Sequence, residues 1–375
     1  MLKFHSLRVA EVRPEAEDAV AIAFEVPEEL RNEFTGQAGQ HVVVRTAING
    51  AEQRRTYSLV SLPGELPLRI VARVHERGLV SRYLANQIEV GQHLDILPPN
   101  GSLILHARAE EAAAGRLYVG FAAGCGITPV LAIAREVLRR HPRNAFILFY
   151  GNTGSGRTMC LEDLQALKDQ HLERFALHFI MSREPQEAEI YNGRLDAERV
   201  REVAQSLFRP AEVSQYFVCG PGDMIETVSG ALRALGVAPE CIHGEHFRVL
   251  ADDQAQSDTK PMALSTAPVA PAVTPAAVAD PQLAQVTVLM DGRRRSFSMR
   301  MNEETILDAA GEAGLELPFS CRAGVCSTCR TKVVRGEVEM AQNYALEDWE
   351  LEQGYVLACQ SRVKSRELEL DYDER

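Results

Sequence analysis

Four cysteines near the end of the chain constrain its folding more than any other feature. Cys321, Cys326 and Cys329 follow the spacing C-x4-C-x2-C, and Cys359 stands apart from them. They call for a loop wound so that three sulfurs converge, with a fourth delivered by a distant part of the fold. The other cysteines, Cys125, Cys160, Cys219 and Cys241, are scattered. The first ten residues carry no apolar signal core, so we expect a cytoplasmic chain, where such a cluster reads as a metal centre before it reads as disulfides.

The spacing is that of four thiolates around a 2Fe–2S cluster. Gly324, inside the loop, can adopt the positive φ that lets backbone N–H groups turn toward the sulfurs. Zinc sites usually pair their ligands in two short spacings, and only one close pair occurs here, which leaves zinc or a chance cluster as the weaker alternative. Around the cysteines, 286–290 and 295–299 bracket Asp291-Gly292, a hairpin signal, and 305–313 predicts a helix capped by Asn302 or Thr305. The whole stretch 286–372 resembles a plant-type ferredoxin, which implies an α+β β-grasp domain with Cys321, Cys326, Cys329 and Cys359 as metal ligands.

A chain of 375 residues exceeds one ordinary domain. Its composition shifts sharply over 251–284, rich in Ala, Pro, Thr and Val and without an aromatic residue, which predicts a semi-rigid linker ahead of a C-terminal domain at 285–375. Before it, short segments at 7–12, 19–26, 41–45, 55–58 and 68–74 alternate with turn residues as in an antiparallel β-barrel, with one helix near 81–87. We place that domain at 1–110. From 111 to 250 the pattern becomes strand, helix, strand: strands at 117–122, 146–150, 177–181 and 216–219, helices at 130–140, 161–170 and up to 234. Such alternation predicts an α/β doubly wound parallel sheet. No tandem repeat is present. The absence of a long apolar run argues against a membrane span, and a net charge of −12 argues against nucleic acid, whose phosphates need Lys and Arg.

Arg55-Thr56-Tyr57-Ser58 resembles the R-x-Y-S flavin motif of the ferredoxin–NADP reductase superfamily, and Gly78-Leu79-Val80-Ser81-Arg82-Tyr83-Leu84 resembles its second flavin motif. The residue types suit the task. A guanidinium such as that of Arg55 forks onto a pyrophosphate. Tyr57, two residues on, shares its strand face and can pack on the isoalloxazine ring. Ser58 can hydrogen-bond near the flavin N5. The N–H groups of a helix starting at Gly78, Val80 and Ser81 suit an anion, with Ser81 doubling as the cap. This form of the second motif implies FAD rather than FMN. An ordinary strand and a plain helix cap are the bland alternatives.

Gly120-Phe121-Ala122-Ala123-Gly124-Cys125-Gly126-Ile127-Thr128-Pro129 resembles the G-x-G-x-T-P turn of the nicotinamide lobe in the same superfamily. Gly124 and Gly126 let backbone approach phosphate, Thr128 suits a helix N-cap, and Pro129 suits the first helical position. Cys219-Gly220-Pro221 resembles the motif whose cysteine sits beside the nicotinamide; a buried core cysteine is the alternative. By the same resemblance Glu245 supports charge or protonation nearby, and Phe247 covers a flavin face. Ser182, Arg183 and Arg194 are candidates for a 2′-phosphate, which favours NADPH and leaves NADH open. Thr153 stands where relatives often carry Arg, with Arg157 four residues on.

Together the motifs imply a reductase that takes a hydride from NAD(P)H through FAD and passes single electrons through the 2Fe–2S cluster. The order of domains resembles reductase components of multicomponent oxygenases. Phe4-His5-Ser6-Leu7, Asn343-Tyr344-Ala345-Leu346-Glu347 and Gly354-Tyr355-Val356-Leu357 resemble the group that serves the di-iron phenylacetyl-CoA epoxidases, whose catalytic subunits would then be the partner. The alternatives are a reductase of a Rieske, steroid or alkyl hydroxylating oxygenase, and a non-enzymatic electron carrier with a degenerate flavin lobe.

Overall fold

The computed structural model describes residues 3–105, 115–247, 282–346 and 348–374. Two compact units make up the fold, one carrying the first two sheets and the other the last two. Of the expected linker, 251–281 lies outside the described residues, while Leu283 and Ala284 already belong to a strand.

The first sheet holds β1 (His5–Ala16), β2 (Ala19–Glu25), β3 (His41–Ile48), β4 (Ala51–Ser58) and β5 (Leu68–Arg73), then helix α1 (Leu79–Asn86) and strand β6 (His93–Asn100). Its order is β4-β3-β6-β1-β2-β5. A bridge from Leu59 to Ile70 joins the continuation of β4 to β5, so the two edges meet and the sheet closes as a barrel. Strand β6 was not anticipated from sequence, because Pro98 and Pro99 speak against a central strand. It nevertheless pairs with β1 through His93–Ile96 and with β3 on its other side, with a register shift near the prolines.

Strand β2 is buried on both faces, and period-two alternation explains why. Val20, Ile22 and Phe24 fill the barrel with Val42, Val44, Val80 and Leu84. Ala19 and Ala21 point the other way, into a core shared with Ile127, Val130 and Leu131 of the next domain. Small residues on that face let the barrel and its neighbour close together.

The second sheet comprises β7 (Leu117–Ala123), helix α2 (Ile127–Arg140), β8 (Ala145–Asn152), α3 (Leu161–Gln170), β9 (Phe175–Met181), α4 (Ala197–Ser206), β10 (Val213–Pro221), α5 (Met224–Ala234) and β11 (Ile242–Phe247). All strand pairs are parallel, in the order β11-β10-β7-β8-β9. Buried residues of α2 and α3 share one apolar core, those of α4 and α5 another, so helices cover both faces. Helix α4 was missed from sequence; Asp196 caps it, accepting from the Arg199 N–H. From β7 the chain winds outward to β8 and β9, then returns to β10 on the opposite side. This reversal opens a crevice beyond the C-terminal ends of β7 and β10, where doubly wound sheets bind ligands.

The C-terminal unit begins with β12 (Leu283–Met290) and β13 (Arg293–Arg300), an antiparallel hairpin turning at Asp291-Gly292, both at positive φ. Helix α6 (Ile306–Glu312) follows, capped by Thr305, which accepts from the Asp308 N–H. Then come β14 (Arg330–Arg335), β15 (Val338–Met340), helix α7 (Asp348–Glu352), β16 (Tyr355–Leu357), β17 (Ser361–Val363) and β18 (Glu367–Asp371). The main sheet has the order β13-β12-β18-β14-β16, with β12 and β18 as its parallel central pair, and β15 pairs with β17. Ile306, Leu307, Ala309 and Ala310 of α6 pack into the core of this β-grasp fold. Among the described residues no helix is long and apolar enough to cross a membrane.

Candidate redox sites

The cysteine loop runs from the end of the α6 region into β14. Three of its residues sit in the left-handed region: Arg322 (φ 52°), Gly324 (φ 74°) and Ser327 (φ 48°). The winding turns backbone donors inward, and the Ala323 N–H reaches Cys321 Sγ at 3.4 Å. Cys326, Cys329 and Cys359 are buried and Cys321 is half-buried. The thiols meet in pairs, Cys321 with Cys326 and Cys329 with Cys359. Contact with the Cys326 thiol, then the N–H groups of Ala323, Val325 and Cys326, hold the Cys321 thiol below its ordinary range against the effect of burial. Four converging thiols, two of them held below their ordinary range, make a donor set that fits a 2Fe–2S centre.

Cys359 lies just past β16, in a turn. Gln360, which no motif pointed to, fastens that turn to the loop: its Nε2 donates to the Arg322 carbonyl at 2.9 Å. The Ala358 N–H donates to the Cys329 carbonyl at 3.1 Å.

In the barrel, Arg55, Tyr57 and Ser58 end β4. Arg55 and Tyr57 are half-buried on one face, and Ser58, on the other, is 2% exposed with no partner for its Oγ among the described residues. Tyr57 packs into the same apolar cluster as Val80 of α1, so the two flavin motifs share one core. Gly78, not Ser81, is the N-cap of α1. Ser81 lies inside the first turn, donating to the Gly78 carbonyl at 3.4 Å and accepting from the His75 N–H at 3.3 Å. A buried hydroxyl without a partner among the described residues fits a polar ligand that would complete it.

Gly124, Cys125 and Gly126 form a tight turn at the end of β7. Gly124 has φ +54° and open space where a Cβ would stand, whereas a Cβ on Gly126 would meet the Cys219 carbonyl oxygen at 2.1 Å. The turn and the C-terminal end of β10, with Cys219 and Gly220, are thus pressed together at the crevice. Helix α2 starts at Ile127 with Gly126 as its cap, so Thr128 and Pro129 lie deeper in the helix than expected. Thr128 Oγ1 donates to the Cys125 carbonyl at 3.0 Å. Tyr150, unforeseen, donates its hydroxyl to the Gly124 carbonyl at 3.0 Å.

Cys219 is fully buried and its Sγ donates to the Glu245 carbonyl at 3.3 Å. Burial, then the Glu245 carboxylate and Cys125, push this thiol well above its usual range. A thiol held protonated in this way is a poor nucleophile. Glu245 lies on β11, and Phe247 ends that strand opposite Pro221 in the backbone pairing; the Phe247 side chain is outside the described residues.

Ser182 and Arg183 extend the β8–β9 ladder past its end, their N–H groups donating to the carbonyls of Asn152 and Thr153. The Gly193 N–H donates to the Met181 carbonyl, which brings Arg194 to the same rim. Arg183 and Arg194 are exposed. Arg157 is used otherwise: it pairs with Asp18 of the barrel, which also binds Arg73 at 2.8 Å.

Comparison with known proteins agrees with this division. Residues 6–104 match an oxidoreductase FAD-binding domain, 121–230 an oxidoreductase NAD-binding domain, and 288–364 a 2Fe-2S iron-sulfur cluster binding domain. The chain is 37% identical to one of the subunits of the 1,2-phenylacetyl-CoA epoxidase of Escherichia coli (strain K12), covering 100% of this chain and 99% of that protein. It is 30% identical to the ferredoxin reductase component of 3-ketosteroid-9-alpha-monooxygenase from Rhodococcus rhodochrous, over 98% of this chain and 96% of the other. Its fold matches phthalate dioxygenase reductase with a TM-score of 0.57 at 22% identity, covering 98% of each chain. The chain belongs to the family of oxygenase reductases that join an FAD-binding, an NAD-binding and a 2Fe–2S domain in one polypeptide, the family that includes this component of 1,2-phenylacetyl-CoA epoxidase.

Proposed function

We propose that this reductase draws on NADPH in the cytoplasm and serves the catalytic subunits of a phenylacetyl-CoA epoxidase. The observation that carries the partner is the 37% identity, sustained over the whole chain, to a component of such an enzyme.

When bound, FAD accepts a hydride and releases its electrons singly, and a 2Fe–2S centre carries one electron at a time. The protein's part is to bind and orient. In this reading Arg55, with the α1 start at Gly78, Val80 and Ser81, holds the FAD pyrophosphate. Tyr57 packs on the flavin ring, and the buried Ser58 hydroxyl meets its polar edge. Gly124, Gly126 and Thr128 bring backbone to the nicotinamide nucleotide, and Cys219, Gly220 and Glu245 border its reactive ring, with Phe247 over the flavin. Ser182, Arg183 and Arg194 receive the 2′-phosphate, and the exposure of both guanidinium groups at one rim supports this. Cys321, Cys326, Cys329 and Cys359 hold the iron.

The test is turnover with purified terminal components. Epoxidase catalytic subunits should form the epoxide of phenylacetyl-CoA with this reductase and NADPH. Turnover with a 3-ketosteroid hydroxylase and none with the epoxidase would favour the second relative's partner instead.

A further inference from the structure

One buried contact near the crevice includes a residue that no motif singled out. His41 opens β3 of the barrel, is fully buried, and places Nδ1 3.0 Å from Oε1 of Glu245 on β11. Glu245 is itself 8% exposed. Two backbone neighbours tie this pair to the reactive residues. Cys219 Sγ donates to the Glu245 carbonyl at 3.3 Å. On the barrel side the Leu59 N–H donates to the Gln40 carbonyl at 2.9 Å, setting the residue after Ser58 against the residue before His41. His41, Glu245 and Cys219 thus form one hydrogen-bonded group across the junction of barrel and nicotinamide lobe, with Ser58 next to the backbone bond that holds Gln40.

The backbone is shaped to admit the imidazole. Gly101 has φ +118°, and a Cβ there would stand 2.8 Å from His41 Nδ1. Three buried polar atoms here, His41 Nε2, Glu245 Oε2 and Ser58 Oγ, have no partner among the described residues. Buried polar atoms are rarely left so unless a ligand or water completes them. An ionised carboxylate only accepts, so the His41–Glu245 bond needs its proton on Nδ1.

We propose that His41 is a positioning residue for hydride transfer: its Nδ1–H holds one oxygen of Glu245, leaves the other facing the reacting rings, and thereby sets the Cys219 end of the lobe against the flavin barrel. The inference rests on the reading that Cys219 and Glu245 border the nicotinamide. His41 acts through Glu245 and does not touch the substrate.

The substitutions that test it differ in where they place a donor. Asn carries an N–H near the position of Nδ1, Gln carries it near Nε2, and Leu fills the space with none. Each is measured as flavin-loaded full-length protein, with flavin content as the check on folding. The readouts are the rate of flavin bleaching by NADPH in stopped flow and the long-wavelength absorbance of oxidised nicotinamide stacked on reduced flavin. His41→Leu and His41→Gln should slow bleaching by about 100-fold, the scale of a small misplacement of reacting groups, and weaken that absorbance. His41→Asn should restore both. In a Glu245→Ala background, His41→Leu should slow bleaching no further. Should His41→Leu fail to hold flavin, the contrast of Asn with Gln decides alone. Equal rates for Asn and Gln, or additive losses in the double variant, overturn the role of His41. If Glu245→Ala itself bleaches at the parent rate, the underlying reading of the nicotinamide site fails instead.

Discussion

Gly126 lies so close to Cys219 that a Cβ on it would stand 2.1 Å from the Cys219 carbonyl oxygen and 2.4 Å from the carbonyl carbon. Both partners are backbone at the ends of β7 and β10, so neither can swing aside. Gly126→Ala should part the turn from β10, costing roughly 1–3 kcal/mol as other overpacked substitutions do. Flavin bleaching by NADPH should slow by at least about tenfold while flavin stays bound, because the lesion is in the nicotinamide lobe. An unchanged rate and thermal midpoint would show that the contact is not needed.

Arg183 and Arg194 offer two guanidinium groups at the rim beyond β9. A charged hydrogen bond contributes about 1.5–3 kcal/mol. Arg183→Ala should therefore lower kcat/KM for NADPH by about ten- to a hundredfold while kcat/KM for NADH barely moves, and Arg194→Ala should act the same way. Equal losses with both nucleotides would place these arginines elsewhere than on the 2′-phosphate.

The junction of barrel and lobe should loosen in acid. Arg135 on α2 donates to the Val60 carbonyl at 2.9 Å and to Glu65 Oε1 at 2.8 Å. Burial raises the Glu65 carboxyl, but hydrogen bonds from Arg135 and the Leu62 N–H outweigh it and leave it below its ordinary 4.5. A carboxyl lowered in the folded state contributes stability above the unfolded value, and that contribution is lost as pH falls past 4.5 and through the folded value. The urea midpoint of Glu65→Gln should therefore fall less steeply than that of the parent in this acid range. Parallel profiles would contradict the assignment.

Gln360 and Gly324 hold the cysteine loop to its fourth ligand. A Cβ on Gly324, at φ +74°, would stand 3.1 Å from the Gln342 carbonyl oxygen. Gly324→Ala should lower iron per chain on purification, since both the strain and the contact oppose the winding of the loop. Gln360→Ala removes the 2.9 Å bond to Arg322 and should leave iron bound but released faster to a chelator. Full iron with parent release rates in both variants would deny these residues their role.

The cysteine spacing, the R-x-Y-S strand and the glycine turn were legible in sequence because each is a local pattern with one dominant physical cause. The hairpin at Asp291-Gly292 and the Thr305 cap were legible for the same reason. Strand β6 was hidden because Pro98 and Pro99 obey the barrel's geometry rather than strand propensity. His41, Tyr150 and Gln360 were invisible for a different reason. Each acts on a partner far along the chain, Glu245, Gly124 and Arg322, and no spacing within one segment encodes such a meeting. Arg157, four residues beyond Thr153, makes the same point: its partner is Asp18 of the barrel, far back along the chain.

Anaerobic titration with NADPH, followed in the visible spectrum, tests most directly that hydride uptake and single-electron delivery share this one polypeptide. Flavin absorbance should bleach, and the absorbance of the Cys321–Cys359 centre should then fall in the same molecules without any added carrier. Bleached flavin beside a centre that stays oxidised in fully iron-loaded protein would contradict the account.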